Sequence, residues 1–228
     1  MDVYWSPMPS RVVSPMKVEE PELALRHFPK SITEDNVNKC PAMADYHKNL
    51  FAIKFPLSYK IEVFSDGDLC SELYTPKVFQ EIVRIRDKSK RLYSLNFNSV
   101  FVTDVPCDIE ITSAHTIRND FTKKTFLVPG KYDIGKWVRP LECAFFADPE
   151  CDKIDINAGD VWAFIRFRTE DKVNFKRFFL DTKMLDMMSM FSSGVFPRTD
   201  FKGMGYYYNM MRQTGYKSRF MRLIKENI

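Results

Sequence analysis

Glycine is scarce in this chain, at 8 of 228 residues. That number does not suit a glycine-rich loop architecture. No G-x-S-x-G, no G-x-G-x-x-G and no glycine loop closed by a phosphate-binding lysine occurs, which removes the usual nucleophile-elbow and nucleotide signatures. Histidine is scarcer still, with His27, His47 and His115 alone. An iron site of the double-stranded β-helix type needs a histidine, a carboxylate two residues on and a distant second histidine. The residues two beyond these histidines are Pro29, Asn49 and Ile117, so that ligand set is missing.

Other absences narrow the chemistry further. The five cysteines, Cys40, Cys70, Cys107, Cys143 and Cys151, contain no C-x-x-C pair, against a zinc ribbon or a thioredoxin-like site. Their odd number and wide spacing predict free, mostly buried thiols in a reducing compartment. No run approaches the ~18 apolar residues of a membrane span, and MDVYWSPMPS has neither the basic start nor the apolar middle of a secretory signal. The net charge of +4 is spread over 34 basic and 30 acidic side chains, too balanced by itself to imply nucleic acid. These readings predict no membrane partner, no cofactor, no metal and a cytoplasmic location.

What the chain does have is aromatic and β-rich. Its 20 Phe and 10 Tyr suit pleated strands. The densest apolar block, Lys131 to Leu180, reads as consecutive short antiparallel strands with turns at Asp148-Pro149-Glu150 and Ala158-Gly159-Asp160. Upstream, LFAIKF and YKIEVF alternate, Ser65-Asp66-Gly67-Asp68 is a hairpin turn, and Tyr93 to Val102 reads as one strand with a bulge at Asn98-Ser99. Thr75-Pro76 followed by Val78, Phe79, Ile82, Val83 and Ile85 predicts a helix, with a strand as the competing reading of Val83-Arg84-Ile85. Asp181-Thr182 caps a methionine-rich helix from Met184 to Phe191, and a last helix is expected from about Met204 or Tyr206 to Ile224. The fold class is therefore mainly β: an antiparallel β-sandwich or jelly-roll-like domain with a helical C-terminal extension. Residues 1–48 form a proline-rich arm packing on the core, 49–181 the sandwich and 182–228 the helical extension.

Candidate sites are few, and each has an ordinary structural explanation beside it. Arg166 and Arg168 share one face of a strand, where two guanidinium groups suit an anion or a partner; the alternative is a solvated face paired with acids such as Glu142. Carboxylates at Asp148, Glu150, Asp152 and Asp155 suit a hard cation, but turns attract aspartate for their own geometry. The C-terminal segment carries Arg212, Lys217, Arg219 and Arg222 interleaved with Tyr216 and Phe220. Basic and aromatic residues together suit single-stranded nucleic acid. The stripe Tyr216, Phe220, Leu223 and Ile224 equally suits a helix docking on its own sheet or on a second subunit. No catalytic constellation is visible.

Several segments together resemble a family of uncharacterised proteins encoded by large tailed bacteriophages, of the marine and cyanobacterial myovirus kind. They are Lys39-Cys40-Pro41-Ala42, Asn49 to Lys54 with Pro56, Asn98 to Asp104, Gly135-Lys136-Trp137-Val138-Arg139-Pro140, and Gly159-Asp160 with Phe164 to Phe167. The Gly-Asp turn also has a cupin-like look. The resemblance implies a viral protein of the host cytoplasm or the virion and supplies no activity. On that reading the chain is a non-catalytic β-sandwich that binds or assembles through protein contacts, with itself as a homo-oligomer or with other phage or host proteins. Trp137, Arg139 and Pro140 then position a loop, and Arg139, Arg166 and Arg168 face a partner or anion. The alternatives are a divergent jelly-roll enzyme, metal-dependent or not, and a nucleic-acid-binding protein using the basic C-terminus.

Overall fold

The computed structural model describes residues 1–9, 14, 17–28, 40–96, 99–114, 116–136, 138–189, 209 and 213–228. Its strands in chain order are β1 (Asp2–Pro7), β2 (Glu22–Leu23), β3 (Leu50–Lys54), β4 (Tyr59–Val63), β5 (Leu69–Ser71), β6 (Val83–Asp87), β7 (Leu92–Asn96) and β8 (Ser99–Val102). They continue as β9 (Asp108–Ser113), β10 (Thr125–Leu127), β11 (Gly130–Asp133), β12 (Glu142–Ala147), β13 (Lys153–Ile156), β14 (Val161–Phe167) and β15 (Asn174–Arg177). The helices are α1 (Pro41–His47), α2 (Pro76–Ile82), α3 (Asp120–Lys124), α4 (Thr182–Ser189) and α5 (Tyr216–Glu226).

Four sheets result, with strand orders β15-β1-β8, β10-β12-β7-β6, β11-β9-β14-β3-β2 and β13-β4-β5. The β1–β15 pair is parallel and the other described pairings are antiparallel. The protein is thus mainly β and sandwich-like, with a short helix at its C-terminal end, and the described strands close no barrel. One apolar cluster draws Trp5, Phe55, Ile61, Tyr93, Phe145, Trp162 and Phe167 from all four sheets into a common interior. Inside it Trp162 stacks on Phe55 at 5.4 Å, and Phe121 meets the edges of Phe55 and Phe145 at 5.3 Å each. Offset and edge-on ring pairs are the favourable arrangements for aromatic quadrupoles.

β14 and β8 are among the strands that are apolar on both faces, and each has a cause. β14 runs between β9 and β3, with Trp162, Ala163, Ile165 and Phe167 in the main interior. Its other face places Val161 and Phe164 under Ala24 and Phe28 of the N-terminal segment. β8 turns Phe101 into the main interior and Val100 and Val102 into a second cluster under α4 and α5. That second cluster explains the loss of alternation after residue 96. The expected single strand from Tyr93 to Val102 is two strands in two sheets, with residues 97 and 98 outside the described set.

The expected helix at 76–85 is also shorter than its apolar spacing suggests. It ends at Ile82, and Val83 to Asp87 pair as a strand with β7, Val83 opposite Leu95 and Ile85 opposite Tyr93. β-branched Val83 and Ile85 fit a pleated surface, and a waiting partner strand settles the competition. Turn chemistry held closely to expectation. Gly67, at φ +81°, lies so near the Lys88 carbonyl that any side chain there would collide with it. Asp181 caps α4, its Oδ1 accepting from the Met184 amide at 2.7 Å. Residues 190–208 lie outside the described set, so the expected reach of the two C-terminal helices is not followed through them.

Candidate functional site

Arg166 of β14 and Arg168 just beyond its end are already engaged. Arg166 donates to the Asp45 carbonyl at 3.1 Å and lies over the Tyr46 ring, so it ties the sheet to α1. Arg168 pairs with Glu110 at 3.5 Å. The acids that neutralise this face are Asp45 and Glu110. Glu142, expected in that role, sits in another sheet and takes other arginines.

The C-terminal stripe is consumed inside the chain. Tyr216, Phe220, Leu223 and Ile224 pack with Tyr4, Val100, Val102 and Phe178. Rings that stack on bases must be exposed, and Phe220 is 0 % exposed. Lys217 is half-buried and donates to the Gly135 carbonyl, and burial pushes its ammonium pKa down. Arg219 and Arg222 stand on the outer surface, Arg222 about Glu226 at 4.0 Å. Arg212, Trp137 and His115 lie outside the described residues.

The five cysteines form no disulfide, and Cys107, Cys143 and Cys151 are buried. Burial pushes the Cys143 thiol up to about 12 and Cys107 up to about 11, so both are neutral thiols at physiological pH. The Glu62 carboxylate accepting from Cys70 raises that thiol as well. Among the described residues no group of three or more His, Cys, Asp or Glu is placed to hold a metal ion. The turn acids serve locally: Asp148 accepts from the Glu150 amide, and Lys153 approaches Asp155. No described helix is long and apolar enough to cross a membrane.

The most site-like feature lies along β6. This strand ends its sheet, pairing with β7 on one side alone among the described strands, and β5 ends the neighbouring sheet. Between them, with α2 as the third wall, runs a groove of about 620 Å³. Its apolar lining is Leu69, Tyr74, Phe79, Val83 and Ile85, with Ile85 38 % exposed. An open strand edge carries unpaired backbone donors and acceptors, which pair readily with another chain.

The opposite face of β6 is cationic. Arg86 meets Glu142 at 3.0 Å and Arg84 approaches the same carboxylate at 4.0 Å. Ser94 fixes that carboxylate by donating at 3.0 Å. Arg139 lies near Tyr132. It and Arg86 both lie close enough to Tyr132 to oppose the burial that raises its phenol pKa, and Tyr132 donates to the Glu142 carbonyl at 2.9 Å. Two arginines therefore share one glutamate. The same sheet face continues across β12, where Phe146 lies opposite both Leu92 and Phe126, the latter 65 % exposed. Of the residues expected from sequence to meet a partner, Arg139 alone comes near this pair, beside Tyr132. Arg84 and Arg86 do not stand out as a pair because the helical reading spreads them around a cylinder; the period-two reading of Val83-Arg84-Ile85-Arg86, the competing reading of this segment, puts both on one face.

Comparison with known proteins identifies no matching family model and no matching curated protein.

Proposed function

We propose that this chain is a non-catalytic binding or assembly module, acting through protein–protein contacts at the open edge of β6. The single observation that carries the reading is that edge with its groove: backbone hydrogen-bonding capacity beside an apolar trough of about 620 Å³. Pairing with an exposed sheet edge is a general mode of peptide recognition, in which main-chain bonds give affinity and alternate side chains give specificity. The resemblance to proteins of large tailed bacteriophages supports a viral setting, with a phage or host protein as the partner.

The test uses a photoreactive side chain in the full-length protein during infection. Placed at Ile85, in the groove, it is expected to give a discrete adduct of one mass. Placed at Glu150, an exposed turn residue away from β6, it is expected to give none. Identical labelling from both positions, or no adduct from Ile85, overturns the reading.

A further inference from the structure

The two faces of β6 differ in chemistry, and a strand laid beside it must match both. Side chains of adjacent strands stand on common faces, with the strands about 4.8 Å apart. On the outer face an incoming strand meets Arg84 and Arg86, whose side chains are 61 % and 51 % exposed. On the inner face it meets Ile85 and, deeper, Phe79 and Val83. Glu142 already shows that one carboxylate is held by both guanidinium groups, and it leaves the pair with an excess of one positive charge. Arginine's planar fork accepts a further carboxylate in the same manner.

Resting on the edge-binding reading above, we propose that the occupant is an extended acidic segment of a partner protein. Its acids lie at alternate positions against Arg84 and Arg86, and an apolar residue between them enters the groove over Ile85. The groove also carries acidic and basic side chains of its own. Asp68 is paired with Lys88 at 2.6 Å. Glu81 lies on α2 among the groove-lining residues, in the same lining as Arg84. Lys77 adds a positive charge at the same wall. A basic strand would be repelled by the arginine face, so charge selects the partner while the backbone supplies the pairing.

The experiment titrates isotope-labelled full-length protein with three short synthetic peptides, observed by amide NMR. One alternates Glu-Val-Glu, one alternates Lys-Val-Lys, and one is the acidic peptide with proline for valine. The acidic strand is expected to shift the Val83 to Asp87 amides and to bind about tenfold more tightly than the basic one, as two partly exposed charge pairs would give. Its affinity is expected to fall as salt rises, and the proline peptide is expected to lose binding. The R84E/R86E double variant reverses the order of the two charged peptides. Equal binding of both at β6 rejects the acidic partner and leaves the edge reading standing. Failure of both to shift β6 removes the edge reading too. Shifts at β6 on simple dilution of the free protein identify the occupant as a second copy and overturn this proposal.

Discussion

Trp162→Ala is expected to lower the unfolding free energy by about 3–5 kcal/mol, the usual range for removing a large buried aromatic. The indole is 2 % exposed, stacks on Phe55 at 5.4 Å with 26° between planes, and meets the edge relation of Phe121 at 6.1 Å. Deleting it forfeits apolar burial and leaves a cavity bounded by rings held from other strands, which cannot all collapse into it. Domains have about 5–15 kcal/mol of total stability, so the variant would sit near the limit of folding. Urea denaturation followed by circular dichroism measures the loss, and Trp162→Phe is expected to recover much of it. A loss below about 1 kcal/mol for the alanine variant would show that the ring cluster is not the centre of the interior.

Phe220→Ala is expected to cost about 3–5 kcal/mol for the same reason, although α5 reads from sequence as equally suited to an intermolecular contact. Phe220 is 0 % exposed and faces Phe178 edge-on at 6.5 Å, in the cluster that covers the outer face of β1 and β8. Arg222→Ala, on the exposed side of the same helix, is expected to change stability by less than about 0.5 kcal/mol. The contrast separates the two roles of the helix. If α5 served only to join subunits, Phe220→Ala would leave the urea midpoint unchanged and reduce the mass seen by light scattering. With α5 docked on its own sheet, the midpoint falls and the mass stays.

The scaffold was legible in the sequence where short-range chemistry decides. Gly67 and Gly159 mark turns that need positive φ, at +81° and +89°, and Asp181 announces the start of α4 through its cap. The failures came where a distant strand decides. Nothing local tells Val83-Arg84-Ile85 that β7 waits beside it, and nothing local divides Tyr93–Val102 between two sheets. The candidate site suffered from the same cause. Arg166 and Arg168 draw notice as an alternating pair, yet Asp45 and Glu110 reach them across sequence separations invisible in one chain. Arg84 and Arg86 form the same alternation on a segment whose strand character is set by β7, so their shared face emerges only with the fold.

Hydrogen exchange on the isolated full-length protein tests the central claim, that β6 presents an unpaired edge, most directly. In an antiparallel pair a strand directs alternate amides toward its neighbour and the rest away. Amides of Arg84 to Asp87 directed at β7 should therefore exchange as slowly as those of β7, which is paired on both sides by β6 and β12, while those directed away from it exchange close to unfolded rates. The Val83 amide is protected in either case, because it donates to the Phe79 carbonyl at the end of α2. Uniform slow exchange along all of β6 would mean that the edge is already covered, and would contradict the account.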